Sequence, residues 1–432
     1  MINTQLIPFY LLLFTLLIVA TEKINRSVIV GFTALFLIVF KFIEFEAAIE
    51  AIDFNTLGLL VGMMIIVSIT KTTGIFQYLA LKTIKLAKVR PLRMLFFISI
   101  LTAILSAFLD NVTTILLVLP VIFFISEITK INSLPFVFSA IFFSNIGGAA
   151  TLIGDPPNII IGGYAKFDFN QFIRYNTPVV LIISFFSLFL VYLKWAKELR
   201  KNIIKTNIIK KLNERGVIKD IKKTFISIFI LFIVLIGFVL HSVLHIENSI
   251  VALFGAILLL LLTRENPEEY YKEIEWPTIF FFIGLFVIIA AVEKTGIFDL
   301  ISNYLIVSTK KNPELITYLV LWLSSFLVSF FNNIPITIIL SKIILSFQSQ
   351  GIDVFPIWWA LSLGTCFGAN LTLIASSVNI VGADLYNKNL LNDKNSIKNK
   401  ISFINFFKSS FLITLTSLII SNIYLKIIFF LK

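Results

Sequence analysis

The sequence predicts an all-α polytopic membrane protein made of two repeats in opposite orientation. Three observations predict it. Apolar side chains make up 58% of the 432 residues and charged ones only 14%, whereas a soluble domain carries roughly a quarter charged residues. Apolar runs of about 20 residues, enough to cross a bilayer as a helix, recur along the whole length. The second half also repeats the first at a nearly constant offset of 222 residues, as from Asp53 to Glu275.

Residues 6 to 20, 27 to 43 and 54 to 70 read as the first three spans. No clear basic stretch precedes Ile7 to Ala20, so this run reads as a retained span and not a cleaved signal peptide. Lys23 and Arg26 lie in the first short loop, and Glu44, Glu46 and Glu50 in the second. The next loop carries Lys71, Lys82, Lys85, Lys88, Arg90 and Arg93. Lysine and arginine mark cytoplasmic loops, which places the acidic loop and the N-terminus outside.

The block 94 to 126 is too long for one span and is broken at Asp110-Asn111, which predicts a hairpin of two half-length helices that enters from the cytoplasm and returns to it. An interrupted segment, 135 to 165, then crosses outward and 178 to 194 crosses back. Lys194 to Lys223 should therefore be cytoplasmic, and it holds eleven Lys or Arg against Glu198, Glu214 and Asp220. The first repeat is thus 1–193, the basic linker 194–223 and the second repeat 224–432.

The interrupted segment includes SNIGGAATLIGDPPNIIIGG from Ser144 to Gly163. Gly147, Gly148 and Gly154 loosen it, and the tandem Pro156-Pro157 lacks the N–H groups a helix interior needs. An opened backbone at membrane depth is tolerated only where it is buried in protein or lines a cavity. The segment therefore marks a binding site for a small solute or ion.

At the offset of 222, Thr56 meets Thr278, Gly62 meets Gly284, Thr73-Gly74-Ile75-Phe76 meets Thr295-Gly296-Ile297-Phe298, and Asp110-Asn111 meets Asn332-Asn333, just ahead of Pro335. One residue out of step, Thr151 meets Thr372 and Asn158 meets Asn379. Each half has five crossings and one hairpin. Five is odd, so the halves are inverted, as in many secondary transporters. The second-half spans are 225 to 241, 249 to 263, 277 to 292, an external hairpin 315 to 347, an interrupted segment 356 to 385 and a last span within 403 to 428, which leaves the C-terminus outside. Lys388, Lys394, Lys398 and Lys400 precede that last span on the inside. The loop 264 to 276 is placed inside although Glu265, Glu268, Glu269, Glu273 and Glu275 outnumber Arg264 and Lys272, because acidic residues weigh little in the rule.

Two hairpin tips and two broken helices then face one another, and half-helix ends offer N–H groups to anions and carbonyls to cations. Around them stand Asp110, Asn111, Thr113, Thr114, Asn145, Thr151, Asp155 and Asn158, with Asn332, Asn333, Thr337, Asn370, Thr372, Ser376, Ser377 and Asn379 from the second half. Such an oxygen-rich set without histidine suits Na⁺ or a hydrogen-bonded neutral solute, and transition metals poorly. The single Cys366 excludes a disulfide scaffold or a cysteine metal cluster. No cofactor is expected, and no metal beyond Na⁺.

Asp110 and Asp155 are the acids placed deep in the spans, where an ionised group is costly and usually functional. Proton coupling is expected through these two, Asp110 first. The plainer role for Asp155 is to cap the half-helix that starts at Pro156. Lys342 is expected to reach the surface, and His241 and His245 to be interfacial polar residues. No arginine or lysine is evident near the hairpin tips, as a carboxylate substrate would ask.

LDNVTTILLVLP at Leu109 to Pro120 and SNIGGAATLIGDPPNIIIG at Ser144 to Gly162 resemble the signature of the ion transporter superfamily. The branch holds ArsB-type arsenite-efflux pumps, NhaD-type Na⁺/H⁺ antiporters and the melanosomal P protein, within a broader citrate transporter-like grouping. The resemblance implies a scaffold and a moving transport unit working as an elevator, with Asp110-Asn111 and Thr151 to Asn158 as substrate and ion residues. Asn332-Asn333-Ile334-Pro335 resembles the N-N-x-P of the arsenite pumps, whereas antiporters tend to carry Asp-Asn-x-P. Gly368-Ala369-Asn370 departs from the commoner G-G-N.

Arsenite or antimonite efflux therefore ranks first, Na⁺/H⁺ antiport second and di- or tricarboxylate transport third, with H⁺ or Na⁺ as the coupling ion. No enzymatic activity is expected. An intramembrane aspartyl protease fits poorly, since Leu152-Ile153-Gly154-Asp155 is not G-x-G-D, and a passive channel is the further alternative. The expected partners are the bilayer of the cell membrane and a small inorganic ion or oxyanion. The net charge of +12 gathers in loops and gives no reason to invoke nucleic acid. Homodimerisation stays open, as does an ATPase subunit, because no nucleotide motif is present.

Overall fold

A computed structural model describes residues 6–21, 23–88, 90–200, 215–391 and 400–431. Part of the basic linker, with Lys394 and Lys398, lies outside these. Many of the helices begin where the sequence supplies a cap or a proline. Asp53 accepts the N–H groups of Asn55 and Thr56 at 3.0 and 3.1 Å to start Phe54–Thr72, and Asn312 with Pro313 starts Pro313–Phe330. Among the described residues, eight helices are long and apolar enough to cross a membrane.

The first hairpin is Pro91–Phe108 and Asn111–Thr129, the second Pro313–Phe330 and Asn333–Ser349. The expectation of half-length arms is corrected: the first hairpin's arms have 18 and 19 residues, long enough for a full crossing, because they run on through Pro91 at one end and to Lys130 at the other. The first opening helix, Ile7–Thr21, has the expected 15 residues, and the second, Arg26–Val39, is shorter than expected at 14. Two further helices, Ile75–Leu86 and Ile297–Ser308, were not foreseen. Each follows a glycine in the left-handed region, Gly74 at φ +85° and Gly296 at +74°.

Contacts between the halves come in matched pairs. Phe54–Thr72 lies along Asn248–Thr263, and Trp276–Glu293 along Arg26–Val39. A Cβ on Gly62 would stand 2.6 Å from the carbonyl carbon of Ala252, and one on Gly284 2.7 Å from Val30 Cγ1. Ala252 and Val30 are themselves 222 residues apart, so one close approach is made twice. Small residues allow this where lipid gives helices no hydrophobic drive to associate.

The broken helices are Leu134–Gly148 with Pro156–Ala165, and Phe355–Gly368 with Ser377–Leu391. Each hairpin's first arm packs on the first part of the broken helix in its own half, and each second arm on the second part in the other half. The centre is therefore built by both halves. Loop contacts fall into two groups. Lys71–Glu273 at 3.8 Å, Lys223–Glu265 at 2.5 Å and Asn132–Glu198 at 2.7 Å join loops that the charge rule assigns to the cytoplasm. Asn55–Glu247 at 3.0 Å and the Tyr424 hydroxyl on the Tyr175 carbonyl at 2.8 Å join helix ends and loops on the side assigned to the outside.

Candidate translocation site

The helix breaks are held open by the same bonds twice. Thr151 Oγ1 donates to the Ala107 carbonyl, and Thr372 Oγ1 to that of Ser329 at 2.6 Å. Asn158 Nδ2 donates to the Thr151 carbonyl at 2.9 Å, and Asn379 Nδ2 to that of Thr372 at 2.8 Å and of Ala369 at 2.6 Å. These side chains take up carbonyls that lose their helical partners, which buried backbone requires. Gly147 and Gly148 end the first arm, and Pro156 and Pro157 open the second. A Cβ on Gly154 would meet the Gly148 carbonyl oxygen at 2.5 Å, so the break closes on itself. Pro335, expected to break a helix, instead sits in the first turn of Asn333–Ser349, where proline is tolerated.

At the hairpin tips, Asp110 accepts the N–H groups of Val112 and Thr113 at 2.8 and 3.0 Å, and Asn332 accepts that of Ile334 at 3.1 Å. Both are N-caps. Asp155 holds the N-cap position of Pro156–Ala165 but makes no capping bond. Capping, the plainer role that the sequence offers Asp155, falls to Asp110 instead.

Between the breaks, Asn145 Nδ2 donates to Asn370 Oδ1 at 2.9 Å and to Asn379 Oδ1 at 3.0 Å. Asn158 Oδ1 accepts from Ser362 at 2.7 Å, and Cys366 Sγ lies 3.6 Å from it. Asn145 and Cys366 are 221 residues apart, the offset that also relates Asn158 to Asn379. Each therefore reaches the asparagine of the opposite half. Asp155 is 1% exposed. Asn333 Nδ2 stands 3.5 Å from its Oδ1, while Oδ2 is buried without a hydrogen-bond partner among the described residues. Asn111 takes a bond from Ser106, and its carbonyl one from Ser144 at 3.1 Å.

Of the other expected residues, Thr114 and Ser376 are buried and Thr113 is half-buried. Thr337 donates back to the Asn333 carbonyl at 2.7 Å, which ties it into its own helix. Ser377 accepts from Arg26 Nη1 at 2.6 Å. Arg26 Nη2 donates to Thr278 at 3.2 Å, and the guanidinium lies 5.3 Å over the Phe281 ring. Arg26, Asn332 and Ser377 line one cavity of about 410 Å³. This corrects the expectation of no arginine near the hairpin tips. Lys342 is also corrected: it is 19% exposed, pairs with Glu293 at 2.7 Å and lies 5.3 Å over Tyr164. It lines a second cavity, of about 660 Å³, with Asp53, Lys166, His241 and Glu247.

Sequence reasoning missed Ser362, Cys366, Asn176 and Arg26. Asn176 donates to Ser362 at 2.7 Å and to the Ala149 carbonyl at 3.0 Å. Cys366 could have been found by carrying Asn145 across the offset. Nothing in the local sequence marks the other three.

Apolar helices, two broken at matched places around a buried polar centre, define a membrane transporter. The chain belongs to the CitMHS family, whose model, described as citrate transporter, matches residues 16–364. It is 34% identical over 420 residues to a "46 kDa membrane protein" of Mycobacterium leprae, covering 95% of this chain and 96% of that one. It is 36% identical over 383 residues to an uncharacterized transporter of Mycobacterium tuberculosis, covering 88% and 87%. The P protein of Mus musculus is 30% identical over 464 positions; the match takes in 88% of this chain and 54% of the mouse protein. In fold the chain is similar to the crystal structure of the Alcanivorax borkumensis YdaH transporter, with TM-score 0.56 and 12% identity over 87% of this chain and 85% of that one.

Proposed function

We propose that the protein is a secondary active transporter whose solute passes the asparagine-lined centre, with Asp155 as the group that couples its movement to H⁺ or Na⁺. The observation that carries this reading is the Asp155 carboxylate, buried at a helix break with one oxygen unpartnered. A buried ionisable group inside a membrane is usually retained for function. Asp110 already caps a hairpin helix, so it ranks behind Asp155, the reverse of the order the sequence suggested. The inverted repeat, the elevator motion, a cell-membrane location and external termini belong to the same proposal, and the paired contacts at one offset support them.

For the solute, the amides and hydroxyls around Asn145, Asn158 and Ser362 suit the neutral trihydroxide of arsenite or antimonite, and efflux of such a solute is the first reading. Na⁺/H⁺ antiport is the second, supported by the same oxygen ligands beside Asp155. Di- or tricarboxylate transport is the third, supported by Arg26 at the hairpin tip and by the family's description.

Everted vesicles with a lumenal pH dye test the proposal when Na⁺, Li⁺, arsenite and citrate are added in turn. Proton release or solute accumulation with one of them, lost in Asp155→Asn, is expected. Movement of any of these solutes that is unchanged in Asp155→Asn would overturn the coupling role.

A further inference from the structure

We propose that the groove at the shared end of Thr177–Leu199 and Phe403–Leu425 binds the headgroup of an anionic phospholipid. A cavity of about 240 Å³ opens there, lined by Leu134, Phe138, Trp195, Lys400, Asn405 and Lys408. Phe138 and Trp195 stack at 6.2 Å, and Lys194 Nζ lies 5.3 Å over the Trp195 ring. Lys400 and Lys408 are exposed.

Position decides what kind of anion the groove takes. Both helices are long and apolar enough to cross a membrane. Further along the two helices into the membrane, Phe189, Phe411 and Leu412 are 51%, 47% and 53% exposed. Such side chains stand in hydrocarbon, and the lysines just beyond them stand at headgroup depth, where tryptophan also concentrates. Basic pockets between membrane helices take anionic headgroups. The nearby carboxylates are engaged elsewhere: Glu198 accepts from Asn132 at 2.7 Å, and Asp384 pairs with Lys388 at 2.7 Å.

The groove also touches both broken helices. Phe138 belongs to Leu134–Gly148. The neighbouring Ile401 exchanges two bonds with Asn387 of Ser377–Leu391, its N–H donating at 2.9 Å and its carbonyl accepting at 3.1 Å. A headgroup seated here bears on the ends of both elements that frame the centre, and this makes the transport rate depend on anionic lipid.

The test uses the full chain in nanodiscs of phosphatidylcholine with and without phosphatidylglycerol, with retained lipids counted by native mass spectrometry. Enrichment of phosphatidylglycerol is expected. Each lysine carries about a fivefold preference, so Lys400→Gln with Lys408→Gln lowers the enrichment about 25-fold. Lys400→Arg with Lys408→Arg keeps it, as do Lys272→Gln and Lys294→Gln at other helix ends. No enrichment, or enrichment unchanged in the double glutamine variant, overturns the proposal. Full competition by inorganic phosphate assigns the groove to a soluble anion and overturns it too. If the glutamine variants do not fold, the wild-type comparison of the two lipids against phosphate decides.

Discussion

The two halves share a frame and differ in charge. Asn158 and Asn379 bind the same carbonyls across their breaks, Thr151 and Thr372 anchor to matched hairpin residues, and Asp110 and Asn332 cap matched hairpin helices. Yet the first half has Asp110 and Asp155 where the second has Asn332 and Ser376, and Asn145 where the second has Cys366. Asparagine caps as well as aspartate, so the tip can lose its charge and keep its fold. Asp155 caps nothing, so its charge has no such structural excuse. The difference separates residues that hold the backbone open from Asp155, the residue proposed to couple transport.

The strongest way to break this comparison is to move the charge across it. Asp155→Ser, which copies the second half, should cut coupled transport about 100-fold, as loss of roughly 3 kcal/mol gives. Adding Ser376→Asp should restore part of it in vesicle flux, and no restoration would mean that the frames are not equivalent. Next, Asn158→Ala and Asn379→Ala should each cost about 1–3 kcal/mol in thermal unfolding by orphaning buried carbonyls. A large cost at only one of them would break the pairing.

A smaller effect sharpens the comparison. Asp110→Asn should change stability by under about 0.5 kcal/mol, against about 1 kcal/mol for Asp110→Ala. Circular dichroism melts would show whether the cap is the main duty of Asp110. Lys342→Gln should likewise cost less than about 1 kcal/mol, because Glu293 is half exposed and such pairs are weak. A larger loss would give the second cavity a role in holding the fold.

Much of the frame was legible because glycine, proline and asparagine leave visible marks in apolar runs. Pro156-Pro157 located the first break, Thr372 and Asn379 at the repeat offset located the second, and Asp110-Asn111 and Asn332-Asn333 located both tips. Ile75–Leu86 was not legible, since Lys82 and Lys85 read as a basic loop while its apolar face packs on the first hairpin. Arg26 was hidden by distance: it meets Ser377 across 351 residues. Ser362 and Cys366 sit in the apolar run of Phe355–Gly368 and acquire meaning only from Asn158 beside them. The capping duty of Asp110 was not legible, because sequence shows that a carboxylate is buried, but not which N–H groups it meets.

The most direct measurement is the number of protons exchanged per solute moved, read from proteoliposomes with a trapped pH dye, for wild type, Asp155→Asn and Asp110→Asn. The exchange is expected to vanish in Asp155→Asn and to persist in Asp110→Asn. Persistence in Asp155→Asn, with loss in Asp110→Asn, would contradict this expectation.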